Sequence, residues 1–360
     1  MTMLAQNNIC GLTPAEILDA VSPLYPININ QAQAVANSVY KKGVTDFLQI
    51  AAIPRKLGTI LNQEFHAGIF RPVMENLSSD GSVKYLFRNP EGLEYETVYI
   101  PDKKRHTVCV STQSGCRMGC RFCATAGYGF HGNLTAGEII NQVISTGGAG
   151  NINRVVFMGM GEPLDNLSHL LKAIEILTSG WGLAMSPGNI TVSTVGIEPG
   201  VNKFMEKTKC NLTLSLYSPF EEERIKAVPV EKAHPWKFVS GIMKSFPKDR
   251  KRRLSIAYMM IRNLNDTDRH LQKLKEEFGN SGIRINLLPY HPVPGDLNLP
   301  SLPERMNYFK HELVISGISA SIRRSRGVDI NAACGLLAGR YDSGNKTRHQ
   351  RPEAGREFIS

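Results

Sequence analysis

From His106 onward the sequence alternates short apolar runs with stretches of helical periodicity, and that alternation restricts the chain to few architectures. Strand-like runs fall at 107–111, 154–158, 189–193, 211–216, 254–260, 284–287 and 319–323. Helix-spaced apolar residues fill the gaps at 135–144, 167–178, 199–206, 236–245, 266–278 and 303–315. Buried-looking strands separated by helices are the pattern of βα units on a parallel sheet. Their number suits an α/β fold with a full or partial βα barrel, whose chemistry belongs in the loops at the C-terminal ends of the strands.

The first 85 residues differ. Ile17, Leu18, Val21, Val35, Val39, Leu57, Ile60 and Leu61 recur at helical spacing, interrupted by Pro23, Pro26 and Gly43, which predicts a small helical accessory domain over 1–85. Lys41, Lys42, Arg55 and Lys56 make it basic, as a solvated face or an RNA-contacting one. Two alternating runs, 82–87 and 94–100, flank Asn89, Pro90 and Gly92 and predict a β-hairpin, with 86–105 a linker to a barrel over 106–340. The segment 341–360 is polar and basic and reads as a disordered tail. No run reaches the roughly 18 apolar residues of a membrane span, and the N-terminus has no signal-peptide pattern, so a cytoplasmic protein is expected. The formal charge of +10, with the run from Lys248 to Arg253, fits a polyanionic partner.

Seven cysteines are too sparse for a disulfide scaffold in a chain of 360 residues. Three of them, Cys116, Cys120 and Cys123, lie within eight residues directly after the first barrel strand. The spacing lets three thiolates converge, and Gly115 and Gly119 permit the turns this needs. The residues alone allow a [4Fe–4S] cluster with one iron left open, a zinc site completed by a distant Cys or His, or ordinary buried thiols. After the second strand, Gly159-Met160-Gly161-Glu162-Pro163 offers backbone that can approach a ligand and one carboxylate. Ser193, and Ser215 with Leu216 and Tyr217, end two later strands. Cys109 and Cys334 stand outside the cluster, and Ala332, Ala333 and Gly335 leave the Cys334 sulfur open to a bulky substrate.

The C-x3-C-x2-C spacing with Phe122 before the last cysteine resembles the radical S-adenosylmethionine (SAM) superfamily. Together with GYGFHGNLTAGEII, FMGMGEPLDN, ITVSTVGIEPGV and RRSRGVDINAACG, it resembles the RlmN/Cfr family of radical-SAM RNA adenine methyltransferases, from the helical module to about residue 340. The resemblance implies a partial (β/α) radical-SAM barrel, a [4Fe–4S] cluster on Cys116, Cys120 and Cys123, and two SAM molecules per turnover. It also implies SAM contacts from Gly161, Glu162, Ser193, Ser215, Leu216 and Tyr217, and from His291, where the family usually has Asn. Tyr217 in place of His, and Leu336 in place of Gln, are further departures, and they suggest a divergent branch.

Amidine carbons of adenine are electrophilic and carry no acidic proton, so a radical route is needed. In the mechanism the resemblance implies, Cys334 takes a methyl group from one SAM by displacement. A 5′-deoxyadenosyl radical from a second SAM abstracts hydrogen from that methyl, and the methylene adds to the ring. Glu96 accepts the ring proton. Cys109 then attacks the Cys334 sulfur, releasing methylated RNA and leaving a disulfide. The implied substrate is an adenosine of large-subunit 23S rRNA, with tRNA as a second target of some C2-specific members. C2 and C8 methylation use the same five cysteines, and C2 is the commoner activity. A reducing partner such as flavodoxin or ferredoxin is implied, and a monomer suits docking on a large RNA. A radical-SAM enzyme with another substrate, or a non-enzymatic RNA-binding protein holding a metal centre, are the rival readings.

Overall fold

Three helices open the chain. Thr13 and Asn28 each accept from the N–H three residues on, while Glu16 and Gln31 accept from the cap's own N–H, so α1 (Pro14–Val21) and α2 (Ile29–Lys42) both begin in capping boxes. Gly43, with φ of 64°, ends α2 in the left-handed conformation. With α3 (Arg55–Glu64) these helices bury Ile17, Val21, Val35, Val39, Leu57 and Leu61. The computed structural model describes residues 7–146, 152–247, 251–293 and 295–338. The basic tail and residues 248–250 of the basic run lie outside them.

Strands β1 (Met74–Leu77), β2 (Val83–Arg88) and β3 (Glu94–Asp102) form an antiparallel meander that continues onto β4 (Arg105–Val110). The predicted hairpin is present, and one further strand precedes it. Strand pairing runs across residue 85 and joins the hairpin directly to the barrel sheet. A two-stranded ribbon of β5 (Gln113–Gly115) and β6 (Phe130–Asn133) then brackets α4 (Ala124–Tyr128).

Regular βα units follow. They are α5 (Ala136–Ile144), β7 (Arg154–Phe157), α6 (Leu167–Thr178), β8 (Ile190–Thr194), α7 (Gly200–Lys207) and β9 (Asn211–Ser215). Then come α8 (Glu221–Ala227), α9 (Trp236–Ser245), β10 (Leu254–Met260), α10 (Asp268–Phe278), β11 (Arg284–Pro289), α11 (Pro303–Ile315) and β12 (Ala320–Ile322). Every barrel strand and helix predicted from the sequence is present within two residues of its predicted bounds. The order β4-β7-β8-β9-β10-β11-β12 is parallel throughout, and no pairing closes the sheet among the described residues, so the barrel is partial.

Period-two alternation decides what each face of this sheet carries. Val155, Phe157, Ile190, Val192, Leu212, Leu214, Ile256, Tyr258, Ile285 and Leu287 are fully buried. The alternate residues face the lumen, and several of them are small and polar. Ser193 lies 3.0 Å from Ser215, Thr213 2.9 Å from Ser255, and Ser321 donates to Asn286 at 2.9 Å. The helical module packs on α5 at a point where only glycine fits: a Cβ on Gly11 would come within 2.6 Å of the Gly137 nitrogen.

Candidate active site

The cysteine loop is shaped by glycine. Gly115 has φ of 75°, and a Cβ there would sit 1.6 Å from the carbonyl oxygen of Gly129, which accepts from the Cys116 N–H at 2.8 Å. That bond bends the chain back across the ribbon and presents the three cysteines toward the strand ends. Met118, Cys120, Ala227 and Val228 form a small buried apolar cluster, against which Cys116, Phe122, Cys123, Val195 and Tyr217 pack. Burial pushes the Cys116 thiol up to about 12 and the Cys120 thiol higher still. Three thiols brought together at one small apolar cluster fit a group whose binding makes them thiolates. Among the described residues no three His, Cys, Asp or Glu side chains are gathered as ligands of a single ion.

The ends of β7, β8 and β9 form the adjoining wall. Gly161, with φ of 95°, lies where a Cβ would be 2.6 Å from the Gln113 side chain. Glu162 is buried, and its carboxylate accepts from the N–H of Leu164 at 3.0 Å and of Val195 at 2.9 Å, tying this turn to the end of β8. Burial raises its carboxyl to about 7 against the pull of those hydrogen bonds. Tyr217 follows β9 with a left-handed φ of 63° and stacks on Phe122, ring centroids 5.1 Å apart and planes within 9°. The ring after the strand and the ring inside the cysteine loop thus face each other. His291 lies within 2.6 Å of the Ser325 hydroxyl, beyond β12, and burial lowers its ring pKa.

Cys334 is brought to this wall by backbone bonds. The Ala124 N–H, next to Cys123, donates to the Gly335 carbonyl at 2.7 Å, and the Thr125 hydroxyl donates to the Leu337 carbonyl at 2.6 Å. Cys334 is exposed to solvent, with protein close enough around it to desolvate its thiol in part. Desolvation raises its thiol, Arg323 pulls it down, and Cys123 is near enough to push it up. Cys109, in the lumen on β4, is buried; burial raises its thiol and Cys334 adds to the rise, so the two sulfurs share one electrostatic neighbourhood.

Two groups that hold this site carry no sequence signal of their role. Lys84 on β2 lies 2.9 Å from the Glu96 carboxylate and 3.4 Å from the Asn331 carbonyl, and Glu96 accepts from the Ala338 N–H at 2.8 Å. Arg224, fully buried on α8, pairs with buried Glu231 at 2.5 Å. Arg224 lies in the run EEERIKA, which reads as a charged surface.

Residues 110–274 match the radical SAM superfamily. Over 336 residues the chain is 39% identical to a probable dual-specificity RNA methyltransferase RlmN of Parabacteroides distasonis, covering 93% of this chain and 98% of that one. It is 38% identical over 346 residues to the corresponding protein of Bacteroides thetaiotaomicron, covering 96% and 100%. The crystal structure of a radical SAM methyltransferase from Sphaerobacter thermophilus superposes with a TM-score of 0.86 at 31% identity, covering 93% of this chain and 100% of that one.

Proposed function

The chain belongs to the RlmN family of radical SAM RNA methyltransferases, and on that premise we propose that it methylates C2 of an adenosine in 23S rRNA, and of tRNA, with Cys334 as methyl carrier. The family's cofactors, a [4Fe–4S] cluster and SAM, supply the methyl group and the radical chemistry that activates it on sulfur. Cys116, Cys120 and Cys123 hold the cluster, at the small apolar cluster where all three meet. Gly161, Glu162, Ser193, Ser215, Leu216, Tyr217 and His291 line the SAM side. The relatives' dual-specificity name supports more than one RNA target, and C2 is favoured over C8 as the commoner activity of the family the sequence resembles. No helix among the described residues is long and apolar enough to cross a membrane, and the enzyme acts as a cytoplasmic monomer supplied with electrons by a flavodoxin or ferredoxin.

The observation that supports this reading most is the 2.7 Å bond from Ala124 to Gly335, which ties the Cys334 loop to the cysteine loop. Cys334 must lose its proton to accept a methyl group, and Arg323 favours that loss. Glu96 takes the ring proton from the covalent adduct between Cys334 and RNA. Cys109 then attacks the Cys334 sulfur. The S–S bond forms as the S–C bond breaks, its electron pair goes to the departing carbon, and protonation there completes the methyl group. Exogenous thiol returns the disulfide to two thiols.

Mass spectrometry of the Cys334 peptide from anaerobically prepared Cys109→Ala protein tests this. An attached adenine nucleotide is the expected result, and its fragmentation distinguishes C2 from C8. A peptide carrying only a methyl group would support the carrier and leave another substrate as the better reading. An unmodified thiol, with cluster intact and SAM supplied, would overturn the mechanism.

A further inference from the structure

Beneath the cysteine loop lies a buried charge that the reaction above does not use. Every nitrogen of the Arg224 guanidinium is engaged: Nε pairs with Glu231 at 2.5 Å, Nη1 donates to the carbonyls of Ser215 at 2.8 Å and of Leu216, and Nη2 donates to the Val195 carbonyl at 2.6 Å. Val195 follows β8 and Ser215 ends β9, so one side chain fixes the two strand ends beside the SAM wall. The helix carrying it also holds the cysteine loop, because the Arg121 N–H donates to the Ala227 carbonyl at 3.0 Å. Arg224 and Glu231 are both buried, with side chains 0% and 1% exposed. Their charges therefore act through low dielectric.

The two charges are not placed alike. Arg224 donates to the Val195 carbonyl at 2.6 Å, and both Val195 and Ala227 of its own helix pack on the apolar cluster that holds Cys120, whereas Glu231 accepts from the Trp236 N–H at 3.0 Å at the start of the next helix. A cluster gains negative charge when it is reduced, and nearby positive charge favours that state. We infer that Arg224 is a positioning residue that raises the reduction potential of the cluster bound at Cys116, Cys120 and Cys123, with its partner Glu231 limiting the rise. The inference rests on the cluster assignment proposed above.

The test is a redox titration, followed by electron paramagnetic resonance, of anaerobically reconstituted full-length protein. Arg224→Met should shift the midpoint to lower potential, and Glu231→Gln, which keeps the Arg224 charge, should shift it higher. Arg224→Lys, which keeps the charge and loses the fork, should stay near wild type while binding SAM more weakly. Opposite shifts are the decisive signature, since general loosening of the loop would move both charge-removing variants the same way. Equal potentials in all loaded variants, or shifts of one sign, would overturn the inference. If Arg224→Met does not load a cluster, Glu231→Gln decides: a higher midpoint supports the inference, and an unchanged or lower one sinks it. Failure of the cluster assignment would look different, as a wild-type protein without the signal or a Cys120→Ala protein that retains it.

Discussion

The Lys84 ammonium and the Glu96 carboxylate, 2.9 Å apart on neighbouring strands, grip the Cys334 loop from both sides. Lys84 reaches the Asn331 carbonyl, three residues before Cys334, and Glu96 accepts from the Ala338 N–H, four residues after it. The turn between β1 and β2 adds to the grip: the Ser78 hydroxyl and the Ser79 N–H donate to Asp329, and the Gly327 N–H donates to Asp80. The antiparallel meander is thus the cradle of the C-terminal thiol. Lys84→Met should remove an ammonium from beside a buried carboxylate, costing about 3 kcal/mol of stability. It should also lower the fraction of Cys334 that becomes methylated, at unchanged iron content. Thermal unfolding and peptide mass spectrometry check both.

Glu96→Gln separates holding from proton transfer. Gln keeps an acceptor for Ala338 and removes the base, so Cys334 should still be methylated. Breakdown of the covalent adduct should slow on the order of a hundredfold, and the adduct should accumulate. Quench-and-digest kinetics read this directly. Adduct decay at the wild-type rate would leave Glu96 a holding group alone.

The Cys334 thiol, raised by its surroundings and pulled down by Arg323, should label with iodoacetamide faster as pH rises, because the thiolate reacts. Arg323→Met removes the pull. Labelling of Cys334 near neutral pH should then fall, as the thiolate fraction falls.

Glu162, with its carboxyl at about 7, holds a proton in the folded protein that an unfolded chain with an ordinary value of 4.5 has already released. The folded state therefore binds more protons across that window, and stability from this group declines as pH rises through it. Glu162→Gln does not titrate. The unfolding free energy of the variant minus that of wild type should rise on the order of 3 kcal/mol between about pH 5 and about pH 8. Parallel curves would mean a carboxylate ionised throughout.

Gly115→Ala should abolish cluster loading, since the new methyl group would lie 1.6 Å from the Gly129 oxygen at a φ that L residues rarely adopt. Iron and sulfide analysis after anaerobic reconstitution gives the answer. Gly92→Ala, at a positive φ but with no neighbour within 4 Å, should load normally.

The barrel was legible because its signal is local. Runs such as 254–260 and 167–178 carry their periodicity in a dozen residues or fewer, and both elements occur at those bounds. The cysteine loop was legible for the same reason, as three cysteines in eight residues. Lys84 and Arg224 were not, because what gives a charged residue its role is a partner outside its own element, for Arg224 Glu231 and the carbonyls at the ends of two strands. Lys84 meets Asn331 across 247 positions, and nothing near either residue marks the pairing. Strand β1, four residues long with burial alternating between partial and exposed, was missed because it has too little apolar content to stand out and exists by pairing with β2.

The bond between Glu96 and Ala338 spans 242 positions and has a consequence in time. During synthesis the meander and the cysteine loop emerge well before the segment that carries Cys334. A chain stalled before it would have every strand of the barrel sheet and nothing for the meander to hold. The grip of Lys84 and Glu96 therefore closes only after the sheet it belongs to has been made.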